Sequence, residues 1–409
     1  MERHSRYRSL RLTLIMLSVA AAVLAIKLGS SSVLALGKDQ ASLERSASLD
    51  AWSAEAKYRL ARLYQLDMSG SEERIVTLYT ESLERSPLFA PSWLGLAELY
   101  TESGDKEKAR AALAMADSIT PSSIGLLWES SMLSLSLGDN ARALGKMKKV
   151  VVADPDRRER VFEICRDIGI SRETILAEVV SPEALPDYIR YLIRKDLKDD
   201  TYPAWDLAVR DGVTDEGLSL AYVDYLIRSG DVTTAKSIWD GLRPGHAGPG
   251  VWNGGFEEDT EGRGFDWMIQ TAAGVETEYD YRNKTEGDRS LRVRFTGDAN
   301  VDFSHVWQIV PVKPRTHYLL VSDISTEGIT TRNGVAWDVY CKGMDSPSEM
   351  YTGSVGWTES RVEFDTPPGC SYVGIRLRRE KSDKLDNLIS GDVWIDNVRL
   401  INLGPVTDT

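Results

Sequence analysis

The sequence predicts a multidomain chain: an N-terminal transmembrane or signal helix, an α-solenoid of helix pairs, and a C-terminal antiparallel β-sandwich. Three observations lead there. Arg3, Arg6, Arg8 and Arg11 precede an apolar run from Leu12 to Ile26 that only Thr13 and Ser18 interrupt. Gly70, Gly104 and Gly138 recur at 34 residues, as do Pro87, Pro121 and Pro155. Beyond Pro244–Gly250 the helical beat gives way to short alternating runs separated by turn residues.

A chain of 409 residues exceeds one compact core, so two folded domains behind a leader are the natural division. The expected segments are a basic tail (1–11), a transmembrane signal anchor (12–36), a linker (37–49) and the α-solenoid (50–244). A second linker (245–250), the sandwich (251–403) and a tail (404–409) complete the chain. A formal net charge of -13 sets nucleic acid aside as a partner, because phosphates would be repelled.

The arginines of the leader would stay in the cytoplasm and send the following chain across the membrane. The apolar run is short for a span, but reaches Leu36 if Lys27 snorkels to the interface; Val33-Leu34-Ala35 is a weak cleavage site. An uncleaved anchor and a cleaved signal both remain open, and a buried helix is the third alternative. The first two export the rest of the protein, so the expected location is a bacterial inner membrane, single-pass, with the bulk of the chain periplasmic. Export implies an oxidising compartment, and Cys341 and Cys370 are expected to form a disulfide. Closing that loop would stabilise the sandwich by roughly 3–4 kcal/mol. The alternative is two buried free thiols. Cys165, among Phe162, Ile164 and Ile168, reads as a small apolar core residue.

In the helical half the clearest repeat runs from Ala90 to Pro121. Trp93, Leu96, Ala97 and Tyr100 share one face of a first helix, and Gly104-Asp105 makes the turn. Ala109, Leu113 and Ala116 lie on the second helix. Small residues at 97 and 109 allow close approach, and Gly104 supplies the left-handed cap that glycine adopts cheaply. The period and these positions resemble the tetratricopeptide repeat. The next copy keeps Gly138, Ala143 and Pro155 but places Ser131 and Ser134 inward; the copy before Pro87 is shifted by about two residues. After Pro155 the beat weakens, returning at Gly217–Leu242 with Gly230, Ala235 and Trp239. The resemblance implies a scaffold of about five pairs that holds a protein segment in its groove, or else a spacer.

In the β half, runs at 290–295, 306–310, 317–324, 336–341, 361–364, 372–378 and 392–401 read as strands of an antiparallel sandwich. Asn253-Gly254-Gly255-Phe256-Glu257 opens it, Trp307-Gln308 and Tyr318-Leu319 lie within, and Val393-Trp394-Ile395-Asp396-Asn397-Val398 closes it. These motifs resemble a jelly-roll carbohydrate-binding module of the galactose-binding-like superfamily over residues 251–403. The resemblance implies a structural Ca2+ between Glu257 and Asp396, a hard cation needing several oxygens. It also implies polysaccharide binding through aromatic rings, for which Trp357, Tyr351, Trp267, Trp337 and Trp307 are the candidates. Trp357 and Tyr351, beside glycines, read as looped and exposed, whereas Trp307 and Trp337 lie within strands that bury tryptophan routinely.

Nothing in the sequence assembles a catalyst. His4, His246, His305 and His317 lie in separate segments, and no H-x-x-x-H, C-x-x-C, G-x-S-x-G or phosphate-binding loop occurs. Glu359 and Glu363 lie four apart on a strand-like stretch, the sandwich is small for a glycanase cleft, and Arg376–Lys381 reads as a solvated strand end. The expectation is a non-enzymatic, membrane-tethered scaffold that docks a protein through its repeats and a polysaccharide through its sandwich, in exopolysaccharide or envelope polysaccharide biosynthesis or export. A purely protein-binding envelope assembly factor is the alternative, and a glycoside hydrolase the third reading.

Overall fold

Helices of 13 or 14 residues bury one stripe each, so they are stable only in pairs, and the turn chemistry sets where each pair closes. The computed structural model describes residues 2–35, 40–50, 52–120, 122–244, 250–383, 385 and 387–406, without the side chains of 2–13, 15, 32 and 35. Two helices, α1 (Glu2–Ala35) and α2 (Gln40–Leu49), come first. Three pairs follow: α3 (Ala54–Leu66) with α4 (Glu72–Arg85), α5 (Ala90–Glu102) with α6 (Lys106–Ile119), and α7 (Ile124–Ser136) with α8 (Asn140–Ala153). Gly104 and Gly138 take φ of +83° and +77°, the left-handed cap. Asp105 and Asp139 then accept the backbone N–H of Lys108 and Arg142 at 3.2 Å, starting the second helix of each pair. In the first pair Met68 takes the left-handed position (φ +50°) in place of a glycine, the displacement that a shifted first helix requires. Ala97 and Ala109 are fully buried where the helices close on one another.

The weaker region contains α9 (Arg158–Asp167), α10 (Arg172–Thr174), α11 (Leu185–Arg194) and α12 (Lys198–Arg210), with a π-helical turn at Ile175–Val179. Cys165 is buried there, and burial pushes its thiol up to about 11. A last pair, α13 (Glu216–Arg228) and α14 (Val232–Leu242), is capped by Asp215 and Asp231.

Two expectations for the N-terminal region are corrected. The segment expected as a linker forms α2 over residues 40–49: Leu43 joins the core, and Ser46 Oγ donates to Ser31 O at 2.8 Å. Residues 37–39 lie outside the described residues, as do the side chains of the basic tail. Among the described residues no helix is long and apolar enough to cross a membrane, so the transmembrane helix expected over 12–36 is not found. Lys27 and the polar run Gly29-Ser30-Ser31 break the apolar stretch near its middle.

The chain divides into two compact units, Met1–Val213 and Thr214–Thr409, so the last helix pair belongs with the sandwich and not with the repeats before it. The physical reason is aromatic. Trp239 of α14 packs edge-on against Trp252 and Phe265, with ring centres 5.4 and 6.1 Å apart. Asp224 of α13 accepts from Arg263 Nη2 at 2.9 Å and from Gly264 N at 2.7 Å.

Among the described residues the sandwich has ten strands: β1 (Met268–Ile269), β2 (Val275–Asp280), β3 (Ser290–Thr296), β4 (Phe303–Pro311), β5 (Thr316–Ile329), β6 (Ala336–Cys341), β7 (Met344–Pro347), β8 (Gly353–Asp365), β9 (Tyr372–Arg379) and β10 (Ser390–Pro405). They form two antiparallel sheets in the orders β1-β4-β9-β6-β7 and β2-β3-β10-β5-β8. Alternation along each strand sends Val306, Val310, Trp337, Val339, Val373, Ile375 and Leu377 inward against Leu291, Val293, Leu320, Val393 and Ile395 of the other sheet. The strands not expected from sequence are β1, β2 and β7. All three lie at sheet edges, where a strand has one partner and a weak apolar pattern suffices. Gly404 and Pro405, expected in the tail, complete β10; residues 245–249 and 407–409 lie outside the described residues.

The expected Cys341–Cys370 disulfide is not present: both are free thiols. Cys370 Sγ donates to Tyr372 O at 3.1 Å, and burial, with Cys341 beside it, pushes its thiol up to about 12.

Candidate functional site

Because the inward positions of β4, β9 and β6 make the core, the intervening residues line the outer face of the β1-β4-β9-β6-β7 sheet. Strand register sets them in two rows. Met268, Trp307, Arg376, Asp338 and Pro347 lie side by side across the five strands, and Ile309, Gly374, Tyr340 and Asp345 form the adjacent row. The half-buried Tyr340 ring lies across Gly374, where any Cβ would overlap it. Arg376 stands over that ring, its Cζ 4.3 Å from the centre. Arg376 is held there by Asp338, whose Oδ2 accepts from Nε at 2.6 Å and Nη2 at 2.5 Å. Burial raises the Asp338 carboxyl to about 6, and Asp345 beside it adds to the shift against the pull of Arg376. Asp338 Oδ1 is buried without a hydrogen-bond partner. The result is a fixed aromatic plate with charged groups at its margin and Trp307 beside it.

Of the five aromatic residues expected to contact ligand, the structure puts one on this face. Trp307 is half-buried and points outward. Trp267 and Trp337 are 0% exposed and pack against each other in the core, ring centres 6.1 Å apart and tilted by 45°, so neither can touch a ligand. Tyr351 is half-buried against the same core and pairs its backbone with Val335. Trp357 lies within β8 rather than in a loop and belongs to the other sheet, its Nε1 donating to Asn283 Oδ1 at 2.8 Å. Trp394 of the same sheet is buried, its Nε1 donating to Asp280 Oδ2 at 2.8 Å. Sequence reading missed Tyr340, Arg376 and Asp338. Their signal is alternation: each sits between two inward residues of a strand. The stretch Arg376–Lys381, expected to be solvated, contains the fully buried Arg379.

Glu257 and Asp396 do converge. The position that a Cβ on Gly255 would take lies 3.7 Å from Glu257 Cγ and 3.8 Å from Asp396 Oδ1. Asp396, fully buried, accepts from Thr285 N at 2.8 Å, Thr285 Oγ1 at 3.0 Å and Glu286 N at 3.2 Å; Glu257 accepts from Asp288 N at 2.9 and 3.0 Å. The two carboxylates are of the kind a hard cation takes, though as they stand their oxygens accept N–H groups, Asp396 Oδ1 that of Asn397 at 2.8 Å. Among the described residues no group of three or more His, Cys, Asp or Glu stands together as metal ligands.

In the first compact unit, α3, α5 and α7 line a groove of about 350 Å³ with Tyr58, Arg62, Leu94, Glu98, Trp128 and Met132 among its walls. Arg62 pairs with Glu98, and Glu102 accepts from Gln65 Nε2 at 3.1 Å. Spacing at 58, 62 and at 94, 98, 102 marks one face of each helix, a signal that core-directed reading passed over.

No family model matches the sequence, and no curated protein matches it. Solved structures similar to parts of the chain include tetratricopeptide-repeat proteins and carbohydrate-binding modules. Among them is a CBM4 structure at 12% identity, covering 37% of this chain and 99% of that one, with a TM-score of 0.29. Another is TTC0263, a thermophilic TPR protein of Thermus thermophilus, at 18% identity, 46% and 89% coverage and a TM-score of 0.28. The enzymatically active domain of bacteriophage CBA120 tailspike protein 4 matches at 16% identity with a TM-score of 0.27, over 37% of this chain; the match spans only 21% of that domain. TM-scores of this size say nothing about what either surface binds.

Proposed function

We propose that this protein is a non-catalytic scaffold that binds a polysaccharide on the outer face of the β1-β4-β9-β6-β7 sheet and docks a protein through its helical repeats. The observation that carries the first part is the Tyr340 ring fixed across Gly374 beside Arg376 and Trp307. The apolar face of a pyranose stacks on the half-buried Trp307 ring beside this Tyr340–Arg376 pair, while Arg376 and Asp345 are placed to meet its hydroxyls. Affinity electrophoresis of the full chain in gels containing single polysaccharides tests it. Retardation by at least one glycan is expected, lost in Tyr340→Ala and Trp307→Ala and kept in Trp357→Ala. Loss only in Trp357→Ala would move the site to the other sheet. Absence of retardation in every gel would favour an assembly factor that binds protein alone, and release of reducing ends would make the protein a hydrolase.

The basic-then-apolar order of residues 1–36 supports an extracytoplasmic location, and the pairing of a docking array with a glycan face supports a role in exopolysaccharide or envelope polysaccharide assembly or export. A reporter fused after Thr409 that is active only inside the cell would overturn the location. The convergence of Glu257 and Asp396 supports a structural calcium ion. Saturating calcium is then expected to raise the melting temperature by roughly 5–10 °C over chelator-treated protein, and equal melting would exclude it.

A further inference from the structure

The helical groove carries a charge imbalance that limits what can dock there. Of the described side chains lining it, Glu98, Glu102 and Glu129 are acidic and Arg62 is the one base. Arg62 is already paired with Glu98, and Glu102 meets only the neutral amide of Gln65. Glu129 is exposed on α7, next in sequence to Trp128. Two carboxylates therefore face the groove without an ion-pair partner among the described residues, beside the aromatic and apolar surface of Tyr58, Leu94, Trp128 and Met132; Arg157, over the Trp128 ring, is paired with Asp154 instead. An acidic segment entering here would meet repulsion from both. A wholly apolar one would bring no cation to them, at a cost in desolvation.

We infer that the groove takes a basic segment of a partner protein, one in which a lysine or arginine reaches Glu102 and Glu129 while neighbouring apolar side chains lie on Tyr58, Leu94 and Met132. This rests on the reading that the repeats dock a protein. Charge at an open groove acts mainly through discrimination and association rate, so the effect is a preference and not an absolute requirement.

The test is a phage-displayed library of random dodecapeptides selected against the full chain and, in parallel, against a Glu102→Gln, Glu129→Gln variant. Peptides enriched on the wild type are expected to carry lysine or arginine beside apolar residues, and this bias should vanish on the variant. In fluorescence anisotropy, the strongest peptide should bind the wild type on the order of tenfold more tightly than its Lys→Glu counterpart, with the gap shrinking as salt is raised. Both exchanged residues are on the surface, so an unchanged melting temperature separates loss of binding from loss of fold. Selection of neutral or acidic peptides, or a basic bias that survives in the variant, would overturn the inference and leave protein docking standing. Enrichment of no peptide at all would overturn both.

Discussion

Single residues inside the sandwich show how charge is tolerated there. Arg379 points inward at the end of β9 with 1% of its surface exposed. Its Nη1 donates to Asn300 Oδ1 at 2.9 Å and to Val301 O, its Nη2 to Asn387 O at 3.1 Å, and its Nε to Asn333 O at 3.4 Å. One guanidinium thus ties three loops together, and Asn333 O accepts from Thr331 Oγ1 at 2.7 Å as well. Arg379→Met keeps the volume and removes the donors, so it should cost about 3 kcal/mol and lower the melting temperature by roughly 6–12 °C. A loss within about 1 kcal/mol would mean that water replaces the side chain. Asp338 gives a pH signature. Its carboxyl keeps its proton in the folded state to about pH 6, whereas the unfolded chain releases it near 4. Its contribution is therefore complete below about pH 4 and is lost as pH rises to about 6. Urea midpoints measured across that window should fall less steeply in Asp338→Asn than in the wild type; parallel slopes would assign the shift elsewhere.

At the scale of an element, the repeat that departs from its pattern explains itself. Ser130 and Ser134 stand at inward positions of α7 because Lys146 of α8 is buried against them, whereas Ser131, also buried, donates to Trp128 O at 2.7 Å. The Lys146 ammonium donates to Ser130 Oγ at 2.6 Å and Ser134 Oγ at 3.0 Å, and pairs with Asp117 of α6 at 2.8 Å. Burial lowers the pKa of Lys146, and Asp117 works against that shift. Removing one member strands the others, so Lys146→Ala should cost about 2–4 kcal/mol. Replacing the cluster together, Lys146→Met with Asp117→Leu and Ser130→Ala, should cost less than the single change. A triple variant less stable than Lys146→Ala would show instead that the polar cluster contributes net stability. In sequence, serine at a core position reads as decay of the repeat. In the structure it solvates a charge that three helices share.

For the molecule as a whole, the division at 213/214 makes a prediction that a boundary at 244/251 does not. A fragment of residues 214–409 keeps Trp239 on Trp252 and Phe265, and Asp224 on Arg263. A fragment of residues 251–409 exposes Phe265 and loses both contacts. Burial of one large aromatic contributes roughly 2–3 kcal/mol, so the longer fragment should unfold at the higher urea concentration. Equal midpoints would mean that the helix pair rests on the sandwich without supporting it.

How much of this is readable in the chain follows from the range of each signal. Turn and cap chemistry is local, so Gly104-Asp105 and Gly138-Asp139 mark their helix pairs, and alternation marks β3, β4, β5, β6, β8, β9 and β10, at least in part. The convergence of Glu257 with Asp396 came from the family resemblance. Tyr340 beside Arg376, and Trp307 across from both, depend on which strands become neighbours, and strand order β1-β4-β9-β6-β7 is not written in any one segment. The same holds for Trp267 and Trp337: a tryptophan in a strand can face either way, and only the packing of one sheet on the other decided that both are core. The sequence by itself determined the order of helical and stranded regions, because backbone propensity and apolar period act over a few residues. Tertiary structure alone decided which aromatic ring is a surface, which charge is buried and which helix pair joins the sandwich, because each depends on contacts between residues far apart in the chain.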